Sequence, residues 1–89
     1  MSLLQLEAFV AVAEEAHVGR AAQRLHVTQP PLTRRIQSLE AELGTPLFER
    51  TSRGMRLLPP GERLLPRARE ILALVAVVPE LIRSEVDLR

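Results

Sequence analysis

Two consecutive prolines, Pro30 and Pro31, stand directly before a helical pattern and fix where that helix can begin. From Leu32 onward, Leu32, Ile36, Leu39 and Leu43 recur at spacings of four, three and four, one face of a 3.6-residue period. Proline inside a helix deletes a hydrogen bond and collides with the carbonyl four residues back. In the first turn neither penalty applies, because the backbone N–H groups there have no intrahelical partner and proline's fixed φ suits helix entry. "TQPP" is therefore predicted as a helix start. Thr28 is the expected N-cap, worth about 1 kcal/mol, and Gln29, Pro30 and Pro31 form the first turn. Gly44 is the expected stop.

At 100° per residue the Leu32–Leu43 stripe points inward, and Pro30, Arg34, Gln37 and Ala41 lie opposite. Thr33 and Gln29 fall on one flank, Pro31 and Arg35 on the other. The exposed amino-terminal half thus offers a hydroxyl, amides, an arginine and two apolar rings, with no acid. Arginine can bridge guanine O6 and N7, glutamine can bridge adenine N6 and N7, and an apolar ring can meet a thymine methyl. The positive end of the helix dipole favours phosphate. These are the requirements of a helix entering a DNA major groove.

The rest of the chain fits that placement. Residues 3–16 read as a first helix, with Leu3, Leu6, Val10 and Ala13 on one face, Phe9 beside them, and Gln5, Glu14 and Glu15 pointing elsewhere. Residues 19–25 suit a short second helix, and a tight "HVT" link makes it half of a helix-turn-helix. "PLFER" (46–50) and "GMRLL" (54–58), joined by "TSR", read as a two-stranded wing, with Gly54 available for positive φ.

After "PPG" a long helix carries a heptad stripe, Leu64, Ala68, Ile71, Val75, Val78 and Ile82, with Leu74, Val77 and Leu81 beside it. So apolar a segment needs a partner surface. Pro79 is expected to kink this helix or end it near Val78.

Charge supports an anionic partner for the middle. Net charge is only +1, but residues 1–16 hold three acids and no base, and residues 17–69 hold ten arginines against four glutamates. Residues 70–89 hold two arginines against four acids. All twelve basic residues are arginine, which suits bidentate contacts to phosphate and guanine, although codon bias alone would give the same count. Other classes find little support. Cysteine is absent, His17 and His26 are nine residues apart without a metal-ligand spacing, and no glycine-rich phosphate loop occurs. An enzyme, a metal site and a cofactor are not expected, nor is a membrane span or signal peptide. The absence of cysteine fits a cytoplasmic protein. A helical module that dimerises through 64–82 and binds protein through its basic face remains the rival, and DNA retention that falls steeply with salt would separate the two.

"RAAQRLHVTQPPLTRRIQSLEAELGTPLFER" resembles the amino-terminal domain of LysR-type transcriptional regulators, and the similarity runs ungapped from about Leu3 to Leu65. The resemblance implies a mainly α fold: a winged helix-turn-helix over 1–58, then a linker helix over 59–89. It implies a homodimer through that helix (Leu64, Ala68, Ile71, Leu74, Val75, Val78, Leu81, Ile82), with a tetramer open in a full-length protein. The implied ligand is double-stranded operator DNA with an inverted repeat. By position, Gln29, Pro30, Pro31, Thr33 and Arg34 fall where the family's recognition helix meets base edges. Arg53 falls at the wing tip, and Arg20, Thr28 and Arg35 fall where phosphate contacts are expected. Leu58 departs from the family pattern by standing where a capping Thr is common. The family normally carries a larger effector-binding domain after the linker, so the chain is expected to be an excised DNA-binding domain or a truncated product.

Overall fold

A computed structural model of the chain describes residues 1–87, so the last two residues of the expected 59–89 segment lie outside the described residues. The elements are α1 (Leu3–Glu15), α2 (Val18–Leu25), α3 (Gln29–Leu43), β1 (Phe48–Thr51), β2 (Gly54–Leu57) and α4 (Pro59–Asp87). This is the expected order of three helices, a wing and a long helix.

α1 begins with a capping box. The Gln5 N–H donates to Ser2 Oγ at 3.2 Å, and the Ser2 N–H donates to Gln5 Oε1 at 2.8 Å. It ends at Ala16, which turns left-handed at φ 54°. In between, Leu6, Ala8, Phe9, Val10, Ala11 and Val12 are all buried, because α1 touches α2, α3, α4 and β2. A one-sided stripe is therefore the wrong expectation for this helix, and Leu3, assigned to it, is exposed. Gln5 also departs from expectation. It is only 8% exposed, and its Nε2 donates to Ser38 Oγ and Glu42 Oε1, each at 3.2 Å, tying α1 to α3.

α2 starts one residue earlier than predicted, with His17 as N-cap: the Arg20 N–H donates to His17 Nδ1 at 3.1 Å. Ala21 and Ala22 are buried and let α1 and α3 approach closely. The core is completed by Leu32, Ile36, Leu39, Leu47 and Phe48, with the Phe9 and Phe48 rings tilted at 47° and 5.4 Å between centroids. Leu43, the last residue of the predicted α3 stripe, is exposed beside the left-handed Gly44. Glu40 turns back instead, and its Oε2 accepts from the Leu47 N–H at 2.6 Å, fixing the entry to β1.

The wing pairs Phe48 with Leu57, Glu49 with Arg56, Arg50 with Met55 and Thr51 with Gly54. It is pinned to the end of α1, where the Met55 N–H donates to the Ala16 carbonyl at 3.0 Å. A Cβ on Gly54, which sits at φ +136°, would stand 2.3 Å from that same oxygen.

α4 passes through both Pro66 and Pro79 without ending. Each proline removes the bond that the carbonyl four residues back would accept. Those residues, Glu62 and Val75, are exposed, so water can take the freed carbonyls. The first half of α4 belongs to the chain's own core: Ala68 is fully buried, and Leu64, Leu65 and Leu72 pack against it. Ala68 is thereby removed from any face offered to a second chain, and Leu64 is largely so. From Ile71 to Val86 the apolar side chains other than Leu72 are exposed, Leu74 by 69%. No helix among the described residues is long and apolar enough to cross a membrane.

Glu14 ties three helices together. Its carboxylate meets Arg24 of α2 at 2.7 Å and Arg69 of α4 at 2.8 Å. The hydrogen bond from Arg24, helped by that from Arg69 and opposed by slight burial, holds its carboxyl below the ordinary value of 4.5. A carboxylate with a depressed folded pKa stabilises the fold above its unfolded pKa, and that stabilisation is lost as pH falls through the folded value. Glu14→Gln should cost about 0.5–1 kcal/mol at pH 7, as befits a solvent-screened pair. Urea unfolding across pH 7 to 3 should show the two proteins converging below about pH 4.5, the ordinary carboxyl value. A constant gap would exclude the ion pair as its source.

Candidate nucleic-acid interface

α3 begins as the sequence requires, with Thr28 extended at φ −83° and ψ 164° and the prolines in the first turn. The expected cap is absent: the Thr28 side chain makes no capping hydrogen bond. The reason is chemical. An N-cap oxygen accepts from the backbone N–H of the second or third helical residue. Here those residues are Pro30 and Pro31, which have none. The same two prolines halve the free N–H groups at this helix end, so anion binding by its backbone is weaker than the dipole alone implies.

The side chains divide as the helical period predicts. Leu32, Ile36 and Leu39 are buried, Gln29, Pro30, Arg34 and Gln37 are exposed, and Pro31, Thr33 and Arg35 are half-buried on the flanks. α3 stands as a ridge with a groove on either side. On one side Gln29 shares a groove with Arg50, Thr51, Ser52 and Arg53 of the wing. The adjoining stretch of that side joins Thr33 and Gln37 to Arg50. On the opposite flank Pro31, Arg34 and Arg35 line a shallow cleft with Leu4 and Ser38. Arg20, Thr28 and Gln29 border a third hollow above α2.

Arg53 sits in the two-residue turn at the wing tip. Its N–H donates to Thr51 Oγ at 3.2 Å, which braces the turn and leaves the guanidinium exposed.

The arginines sort into two groups. Arg24, Arg56, Arg67, Arg69 and Arg83 each pair with a carboxylate. Among the described residues Arg34, Arg35, Arg50, Arg53 and Arg63 pair with none within 4.0 Å, and all but Arg63, which lies on α4, are on the α3–wing face. Arg20 is intermediate. Its Nη2 donates to the Glu15 carbonyl at 2.9 Å, and its Nε lies 4.0 Å from that residue's carboxylate, so it is partly committed within the chain.

Arg50 is the site residue that sequence reasoning missed. Alternation along β1 from the inward Phe48 puts Arg50 on the same face, toward α3, so the signal was present. His17 lacks a metal-ligand spacing, and its capping role carries no distinctive sequence signal because Ser, Thr, Asp and Asn are the usual caps. His26 is exposed and left-handed at φ 57°, where it closes α2. No trio of His, Cys, Asp or Glu among the described residues could hold a metal ion. Chemically the face offers guanidinium, amide and hydroxyl groups beside proline rings, a surface for a polyanion with readable edges.

Comparison with known proteins places the same residues in a known context. The model of the lysR family of bacterial regulatory helix-turn-helix proteins matches residues 3–62. The HTH-type transcriptional regulator TfdT of Cupriavidus pinatubonensis is 56% identical over 75 residues, covering 84% of this chain and 33% of that protein. ClcR of Pseudomonas putida, also an HTH-type transcriptional regulator, is 54% identical over 72 residues, 81% of this chain and 24% of that protein. The chain thus spans a third or less of the length of these relatives. Among solved structures, the BenM_DBD/catB site 1 DNA complex superposes with a TM-score of 0.90 at 40% identity, over 97% of both chains. The CbnR_DBD-DNA complex gives 0.85 at 46% identity over the whole of both chains.

The missing cap has a measurable consequence. Thr28→Ala should change unfolding free energy by less than about 0.3 kcal/mol in urea titration, not by the roughly 1 kcal/mol of a functioning cap. A loss of a full cap's size would mean that the Thr28 hydroxyl holds a structural bond after all.

Proposed function

Because the chain belongs to the lysR family of bacterial regulatory helix-turn-helix proteins, we propose that it is the sequence-specific DNA-binding unit of a transcriptional regulator. α3 enters the major groove and the wing lies along the neighbouring backbone. One observation carries this assignment: four of the five described arginines without a carboxylate partner, Arg34, Arg35, Arg50 and Arg53, lie on the α3–wing face, the fifth being Arg63 on α4, whereas most of those elsewhere are neutralised. Solved relatives of the same shape in complex with DNA support it.

In this arrangement Gln29, Pro30, Pro31, Thr33 and Arg34 meet base edges. Arg53, Arg35, Thr28 and Arg20 meet the backbone, joined by Arg50. The Thr28 hydroxyl, unused as a cap, is free to contact a phosphate. No catalytic chemistry is required of the chain, and its place of action is the bacterial cytoplasm, where the DNA is.

The exposed part of the α4 stripe, Ile71, Leu74, Val75, Val78, Leu81 and Ile82, is proposed to pair with the same stripe of a second copy. Residues 1–58 then read DNA, and the helix from residue 59 onward joins the two copies through its exposed part, from Ile71 on. Two-fold symmetry would make the operator an inverted repeat.

Arg34→Ala, measured by fluorescence anisotropy on selected and random duplexes, should cost about 1–3 kcal/mol on the selected site and relax preference at one base position. Arg53→Ala is the contrast: it should weaken both duplexes alike and lower the salt slope by about one. Parental affinity and salt slope in the Arg34 variant would sink the orientation of α3. Binding of the parent that ignores salt would favour a protein-binding module instead.

Val75→Asp places a carboxylate in the middle of the exposed stripe and should give monomers in sedimentation velocity. An unaltered dimer would remove α4 as the joining surface.

A further inference from the structure

The geometry points to Gly19 as the position that aims Gln29, an inference that rests on the DNA-reading assignment above. Gly19 lies in the first turn of α2 and is not among the positive-φ glycines, Gly44 and Gly54. Its backbone therefore does not require glycine, and a glycine in a helix is less stable than alanine there. What the position lacks is space. A Cβ would stand 2.8 Å from Cε1 and 3.1 Å from Nδ1 of His17, and 3.3 Å from Nε2 of Gln29. The volume of the missing side chain is occupied by the His17 ring and the end of the Gln29 side chain.

Neither neighbour is free to leave without consequence. His17 Nδ1 holds the Arg20 N–H at 3.1 Å and so caps α2. Gln29 is the first residue of α3, and its amide lies back against α2. His17, Gly19 and Gln29 also border the two adjoining hollows that flank this junction. A methyl group at position 19 must push the His17 ring aside, and the end of the Gln29 side chain must give by a few tenths of an ångström, which changes the seat from which Gln29 presents its donor and acceptor. Gly19 thus acts as a positioning residue: it selects the conformer of a base-reading side chain held on the next helix.

Gly19→Ala tests this in the whole chain, with two readouts. Without DNA, the Gln29 side-chain amide resonances should move, and the contact between that amide and the residue 19 α-proton should disappear in NOE spectra. With a randomised duplex library, the variant should lose about 5- to 150-fold of the discrimination at the one base position that Gln29→Ala also relaxes, the range one bidentate amide contact supplies. Added to Gln29→Ala, it should change nothing further. A purely structural role would instead weaken all sequences alike and lower the melting temperature.

Unmoved amide resonances, or a base preference identical to that of a selective parent, overturn the role of Gly19 and leave the DNA-reading assignment intact. A parent that selects no sequence defeats that assignment and this inference with it.

Discussion

Over Ala8–Val12 the first helix has no solvent side, and the other elements take their positions from that burial. α2, α3, α4 and the second strand each cover part of it. Many of the buried contacts are alanines, Ala8 and Ala11 on α1, Ala21 and Ala22 on α2, Ala68 on α4. Small side chains bring helix axes toward the short end of the usual 8–10 Å separation. With only two aromatic residues, the chain fills its interior by close approach rather than by bulk. The polar ties are placed where that packing leaves gaps: Gln5 to Ser38 and Glu42, Glu40 to the Leu47 amide, Ala16 to the Met55 amide. Together they fix α3 and the wing relative to one another, which is what a face that reads a rigid duplex needs.

Charge is divided by location. Acids near the ends of the sequence do not simply balance the total. Glu14 and Glu15 hold Arg24 and Arg69 and restrain Arg20 at the back and side of the domain. Glu49 holds Arg56 on the wing. Of the described arginines left without a carboxylate, Arg34, Arg35, Arg50 and Arg53 share one face and only Arg63 lies on α4, so a net charge of +1 conceals an uneven field.

The sequence made α3, the wing and the presence of α4 legible because each has a strong local signature: a proline-bounded helical period, a glycine turn between short strands, a heptad stripe. α1 was read as amphipathic because periodicity assumes one buried side, and a helix surrounded by neighbours has several. Gln5 was misplaced for the same reason. The Thr28 cap failed on a detail the sequence did contain, the lack of N–H groups on Pro30 and Pro31. Ala68 and Leu64 could not be separated from the outward stripe, since a single heptad pattern continues from the part packed on α1 into the part that is bare. Pro79 reads in sequence as a kink or an end of the helix, yet an exposed helix can let water satisfy the carbonyl it frees. Arg50 was recoverable from strand alternation, whereas the neighbourhood of His17, Gly19 and Gln29 depends on tertiary approach and has no counterpart in spacing.

The paired prolines at the start of α3 also alter how that tip behaves toward water. An ordinary helix start carries a ring of hydrated amides, and pressing it against an apolar group leaves donors stranded at about 1–3 kcal/mol each. Here two of those donors do not exist, and two hydrocarbon rings stand in their place. Dehydrating the tip strands half as many donors as at an ordinary helix start, so carbon can rest against carbon over the two rings.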